Sequence, residues 1–346
     1  MAHIPLSRND IRKVRARWGA SSAPRTWAKP LLPAKASEQD WLEARREARP
    51  GWWRIGASEL AAVLDVSPHT SAFALWWAKQ ATWARPEPND AMVFGHKLEK
   101  VIGEIWAERH PETMLCRPGA ALYGHREWAR EWLVCTPDFL AVCESPTTIA
   151  TLDGSTLLTI EPVECKSDEG GKGWGKPGTD EVPFHHKVQV YVQCEILGAS
   201  RGHLMRLAGK KATSYVLPYD DAAKALMDTW CGEAVTFLQS LRDNVMPDID
   251  GHPSTTDALQ HIHAGYVPDK TTVLPVELAN DYRHWHAETA RVKEEFETVK
   301  NQIRAALGDA QTGLDGEGNR VVRRTIYKKR GYEVGPQEVD ELRRLS

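Results

Sequence analysis

Three short apolar runs ahead of residue 170 set the pattern of the core. Trp132-Leu133-Val134-Cys135, Phe139-Leu140-Ala141-Val142 and Leu157-Leu158-Thr159-Ile160 predict half-buried or buried strands. Residues 94–108 have helical spacing instead, with Leu98, Val101, Ile102, Ile105 and Trp106 as the apolar stripe. Pro183 to Leu197 predicts another helix, and residues 202–207 and 213–218, flanking Ala208-Gly209-Lys210-Lys211, predict a hairpin that completes the sheet. Asp220 to Leu241 again reads as helix, after which Pro247, Gly251, Pro253, Gly265 and Pro268 punctuate the chain. Beyond them Leu278, Tyr282, Trp285, Thr289, Val292, Phe296, Val299 and Ile303 alternate at four and three residues. That heptad seam implies a long helix packed against another, either the Asp220 helix or a neighbouring subunit. The tail predicts a basic strand over 321–330 after an Asp315-Gly316 turn, then a short helix.

Composition narrows the classes without deciding among them. The chain has 346 residues, enough for a proper core, and its 44 basic and 47 acidic residues nearly balance. Any nucleic-acid footprint is therefore local. Residues 1–35 carry Arg8, Arg12, Lys13, Arg15, Arg17, Arg25, Lys29 and Lys35 against Asp10, with Trp18 and Trp27 interleaved. This reads as an arm for a DNA backbone or as a plain basic tail. No run is long and apolar enough to span a bilayer, and the start is too polar for a secretory signal, so a soluble cytoplasmic protein is expected. The six cysteines form no C-x-x-C pair, which argues for reduced core thiols and against a disulfide frame, a zinc site or an iron–sulfur cluster.

The chemistry concentrates at Asp138 and at Glu164-Cys165-Lys166. In a strand Glu164 and Lys166 project to one face while Val163 and Cys165 point to the other. If that strand pairs with the one following Asp138, two hard oxygen ligands for a divalent cation stand beside a lysine that can orient water, a set suited to phosphodiester hydrolysis. The bland alternative is a Pro-Asp turn and a solvated strand face. Glu99 falls within the apolar stripe of its helix, where a carboxylate needs a cation or donors, or else reaches water at the stripe's edge. Gln189 suits a water or a phosphate oxygen, or is an ordinary exposed glutamine. Residues 170–178, Gly-Gly-Lys-Gly-Trp-Gly-Lys-Pro-Gly, lack the P-loop order. They read as a mobile loop whose Lys172, Trp174 and Lys176 suit a nucleic-acid channel, or as a plain surface loop.

Trp41-x-x-x-Arg45, the segment Arg54 to Leu64, Gly95-x-x-x-Glu99, Pro137-Asp138, Glu164-x-Lys166 and Gln189 stand in an order that resembles the YqaJ-type viral recombinase family, the lambda exonuclease-like branch of the PD-(D/E)xK nucleases. The resemblance covers about residues 41–218 and implies an α/β core, a central mixed sheet flanked by helices, with a helical C-terminal extension. Residues 1–40 are then a basic arm, 41–245 the exonuclease core and 246–346 the extension. By position it makes Glu99, Asp138 and Glu164 metal-binding acids with the Cys165 carbonyl, Lys166 the catalytic lysine, Gln189 a helper, and Arg45 or Arg54 with Ser58 a site for a DNA 5′-phosphate. The family's second glutamine, two residues after the first, is here Tyr191.

What it implies in function is a Mg²⁺-dependent exonuclease, with Mn²⁺ as a substitute, working 5′ to 3′ on linear double-stranded DNA to leave 3′ single strands for recombination. Its expected partners are duplex DNA, a single-strand annealing protein and further copies of itself, a ring trimer among the forms. Its place is the bacterial host cytoplasm if it is phage or prophage encoded. A restriction-like or structure-specific endonuclease, or a DNA-binding module without catalysis, would use the same residues.

Overall fold

The strands β6 (Phe139–Glu144) and β8 (Thr156–Asp168) pair antiparallel with Phe139 opposite Val163, and this ladder is the axis of the larger sheet. The computed structural model describes residues 28–80, 90–144, 150–152, 156–168 and 171–327. Most of the basic arm and the final predicted helix lie outside these residues. Around the axis the sheet continues in the order β10-β9-β8-β6-β3, with β3 at Met114–Cys116, β9 at Arg201–Ala208 and β10 at Lys211–Pro218. β7 (Ala150–Leu152) also pairs with β8. β8 and β9 are parallel; β9 and β10 form the predicted hairpin. A smaller sheet, β1-β4-β5-β2, comprises β1 (Lys29–Leu32), β2 (Ile55–Gly56), β4 (Leu122–Gly124) and β5 (Leu133–Cys135). The described end of the basic arm is thus a strand, β1, paired with β4.

Alternation assigns each face of the large sheet to a helix. Phe139, Ala141, Val163, Cys165 and Met205 pack with Ile102 and Trp106 of helix α4 (Asp90–Arg109). The opposite set, including Leu140, Val142, Ile160, Leu204 and Tyr215, joins the core of helices α5 (Phe184–Leu197) and α6 (Asp221–Asp243). Helix α5 starts after Pro183, whose fixed φ suits an entry, and stops at Gly198 in the left-handed region at φ 67°. The Asp220 side chain caps α6 through the Ala223 N–H at 3.0 Å. The predicted α4 stripe needs one correction: Val101 is exposed, and Gly103 takes its place against the sheet.

Four further helices complete the described N-terminal part: α1 (Glu38–Arg46), α2 (Leu60–Val63), α3 (Ala72–Lys79) and α7 (Pro253–Ile262). The chain divides into two units after Ala264, and α7 belongs to the first because Ala258 packs with Phe73 and Ala74 of α3. The second unit contains α8 (Val276–Leu307) and a hairpin of β11 (Thr312–Leu314) and β12 (Arg320–Arg323). Cys135, Cys165, Cys194 and Cys231 are buried thiols. No helix among the described residues is long and apolar enough to cross a membrane.

A polar cluster fastens α5 to the loop before β5. Glu195 accepts the Tyr219 hydroxyl at 2.7 Å, lies 3.4 Å from His125 Nε2 and pairs with Arg130. The hydrogen bond from His125, then Tyr219 and the Arg130 charge, hold its carboxyl at about 2 against the cost of burial. A carboxyl depressed in the folded state stabilises fully above its unfolded value near 4.5, and that stability is lost as pH falls toward 2. Glu195→Gln should therefore lose about 2–3 kcal/mol at pH 7 and flatten the stability profile between those limits. Urea melts at stepped pH measure both.

Candidate active site

Asp138 occupies the junction where the chain leaves the small sheet at Cys135 and enters the large one at Phe139. Its Oδ2 accepts the Cys165 N–H at 2.8 Å, so the side chain extends the β6–β8 ladder beyond the last backbone pairing. On the α5 side of β8, Lys166 Nζ lies 2.6 Å from Glu164 Oε1. Gln189 donates to the same oxygen at 2.6 Å, and Gln193, one turn later on α5, donates to Oε2 at 2.7 Å. Glu164 is buried, with 3% of its side chain exposed, and Lys166 retains 23%. Gln193 is fully buried and its Oε1 has no hydrogen-bond partner among the described residues.

Glu99 approaches from the other side of the sheet. Gly103, one turn further along α4, lies directly on the Phe139 ring, where an added Cβ would stand 2.3 Å from ring carbon. That absence of a side chain brings the Glu99 turn close to Asp138. Glu99 Oε1 meets His96 Nδ1 at 2.8 Å and Oε2 meets Arg117 at 3.3 Å.

Asp138 feels both of the other acids. Burial, then the charge of Glu164 and that of Glu99, push the Asp138 carboxyl well above its usual range, against Lys166 and the Cys165 N–H. Burial pulls the Lys166 ammonium down, but Glu164 and Asp138 outweigh it and leave it raised, hence protonated. Around the lysine, burial first and then neighbouring positive charge lower His185 to about 4 and His186 to about 2, so both imidazoles are neutral at pH 7. No three His, Cys, Asp or Glu side chains among the described residues close into a metal cage. The donor set still fits Mg²⁺, which keeps several waters and takes one or two carboxylates, and a dication would relieve the repulsion that raises Asp138.

A cleft of about 920 Å³ opens over these residues, with Glu99, Asp138 and Gln189 on its wall beside Trp41, Arg45 and Ser58. Trp41 Nε1 donates to Thr136 Oγ1 at 3.0 Å and ties α1 to the Asp138 junction. The Arg45 guanidinium lies 5.0 Å from the Trp41 ring and donates to Ser58 Oγ at 2.6 Å. Behind it Glu59 accepts the Gly56 N–H at 2.7 Å and the buried Lys79 ammonium at 2.8 Å. A Cβ at residue 56 would stand 2.7 Å from Arg45 Nε, so a larger residue there would displace the guanidinium from its present place.

Ser58 precedes the short helix α2 without capping it. α2 has four residues, Glu59 stands at its N-cap, and the Ser58 hydroxyl serves Arg45. Arg54 points elsewhere, donating to the Ala44 carbonyl at 2.7 Å, and is absent from the cleft wall. Lys172 and Lys176 are exposed, but Trp174 packs 4.6 Å from the Arg206 guanidinium and 5.2 Å from the Tyr215 ring. Their loop is tied down by Gly175 N–H to Glu181 O and Gly178 N–H to Ser214 O, at 2.8 and 2.9 Å. Gln193, His96 and Arg117 were not singled out as site residues by sequence. Gln193 left a trace, a second amide one turn after Gln189 in a mostly apolar helix.

Among solved structures, the chain is similar to an alkaline exonuclease, LHK-Exo from Laribacter hongkongensis, at 19% identity over 60% of this chain and 94% of that one, with a TM-score of 0.41. The same enzyme in complex with dAMP matches at 18% identity and the same coverage, with a TM-score of 0.42. SSO0001 matches at 13% identity over 68% and 97% of the two chains, with a TM-score of 0.32. No curated protein matches. The family model of the YqaJ-like viral recombinase domain matches residues 40–200, and this span, similar to that domain, holds every acid of the site together with Lys166, Gln189 and Arg45.

Proposed function

We propose that the chain is a Mg²⁺-dependent exonuclease that degrades linear duplex DNA from the 5′ end and leaves a 3′ strand for recombination. The carrying observation is the convergence of Asp138, Glu164 and Lys166 behind a cleft walled by Glu99, Gln189 and Arg45. Asp138, Glu164, Glu99 and the Cys165 carbonyl would hold Mg²⁺, with Mn²⁺ as a substitute. Bound there, the metal supplies a Lewis acid for the phosphoryl oxygen and lowers the pKa of water. Lys166 orients the attacking water and offsets charge developing at phosphorus. Gln189 and Gln193 grip both Glu164 oxygens and hold the carboxylate in one orientation. Arg45 and Ser58 receive the terminal 5′-phosphate, a guanidinium and a hydroxyl already aligned with each other. The setting is the cytoplasm of a bacterial host, with a single-strand annealing protein taking the exposed strand.

The test uses linear duplex labelled at either the 5′ or the 3′ end, with Mg²⁺ or with EDTA, beside a covalently closed circle. Mononucleotides should leave from the 5′ label first, only with the metal, and the circle should stay intact. Unphosphorylated 5′ ends should be digested about ten- to a hundredfold more slowly. Arg45→Ala should erase that difference and Arg54→Ala should retain it. A cut circle would establish the endonuclease reading, and inert DNA under all conditions the module without catalysis.

A further inference from the structure

Among the described residues of its own unit, helix α8 leaves most of its heptad seam uncovered. Leu278, Trp285, Val292 and Phe296 are each more than half exposed, at 55, 65, 53 and 62%. With Leu278 at a d position, Tyr282, Thr289, Phe296 and Ile303 fall at a, and Trp285, Val292 and Val299 at d. The positions beside the seam are then charged by side. The g positions are Asp281, Glu288, Glu295 and Gln302, whereas the e positions are Ala279, His286, Lys293 and Lys300.

Parallel, in-register helices bring each g position against the e position five residues later on the neighbour. Here that sets Asp281 against His286, Glu288 against Lys293 and Glu295 against Lys300 of a second copy, every one an acid facing a base. An antiparallel pairing would set g on g and e on e, acid against acid and base against base. Within one helix Arg291 pairs with Glu288 and Glu295 at 2.7 and 2.6 Å and Lys300 pairs with Glu297, exposed ion pairs that assembly would exchange at little cost for pairs across the seam. Lys300 Nζ stands 4.8 Å from the Phe296 ring centroid, so its stem already flanks the seam.

We infer that α8 is the strand of a parallel, in-register coiled coil formed with further copies of this same chain. The rotation axis of such a bundle runs along the helices, so the copies are related cyclically. The assembly is independent of the nuclease reading.

The test uses the full chain. Val299→Cys in a parallel bundle faces its own counterpart across the seam, whereas an antiparallel pairing separates the two by several helical turns. Under mild oxidant V299C should cross-link through the introduced thiol, located by peptide mapping against the unmodified chain with its native cysteines. E288K/E295K should slow that cross-link at least about tenfold, since like charges then face each other. The exchanged chain E288K/E295K/K293E/K300E should restore it, and circular dichroism should show the helix retained throughout. An introduced thiol that never meets its counterpart, or a cross-link indifferent to charge reversal, overturns the inference.

Discussion

Lys166→Ala should hydrolyse duplex DNA about 10²–10⁴ times more slowly than the unmodified chain, the range lost when one group acting on proton transfer or transition-state charge is removed. The side chain lies on a sheet held independently of it by Phe139, Val163 and Met205, so the melting temperature should barely move. DNA affinity measured in EDTA should also persist, because Arg45 and Ser58 are untouched. Removing the ammonium leaves Glu164 held by Gln189 and Gln193, which keeps that acid in place and isolates the loss to the chemical step. Single-turnover rates at saturating Mg²⁺ decide the matter. Turnover within about tenfold of the unmodified chain would remove Lys166 from the mechanism.

Gly103→Val should be the most damaging single change away from the acids. Valine is the better helix former of the two, so an isolated α4 would gain from it. In the folded chain its Cβ would meet the Phe139 ring at 2.3 Å, and that ring is enclosed by Ile102, Trp106, Ala141 and Val163. Overpacking of this kind costs about 2–3 kcal/mol, and a thermal melt should fall by roughly 5–10 °C. Activity should drop with it even at temperatures where the fold survives, because Phe139 follows Asp138 directly and Glu99 rides on the displaced helix. Phe139→Leu placed on top of Gly103→Val should recover part of the melting temperature. A variant as stable as the parent would show that α4 does not press on β6.

The elements that sequence made legible are those whose own side chains declare a period. β6, β8, the β9–β10 hairpin, α5 and α6 carry alternating or three-and-four spacing across six or more residues, bounded by Gly, Pro or Asp, and the acids follow from their positions on them. In the small sheet the apolar run at Trp132–Cys135 announces β5, but β1, β2 and β4 have two to four residues, too few for a period to be read. A serine before a short apolar run is ordinarily a helix cap, and only the tertiary approach of Arg45 gives the Ser58 hydroxyl another task. Val101 was placed on the stripe by spacing, yet the sheet selects Gly103, which carries no hydrophobic signal at all. Arg45 and Arg54 are equivalent on paper and separated only by where α1 and the segment before β2 come to rest.

The hydrogen bond from the Cys165 N–H to Asp138 links the two principal acids through the main chain. Asp138 is fastened to the peptide unit that directly follows Glu164, so the gap between the carboxylates is spanned by one hydrogen bond and a single residue of covalent backbone. Breathing of the surrounding core cannot widen that gap gradually, because the pair drifts as one body until the hydrogen bond itself breaks. The thiol of residue 165 faces the opposite side of the sheet and is free to become another small apolar group, while its amide is not replaceable by proline. Chemical precision at this centre therefore resides in an atom that every residue but proline possesses.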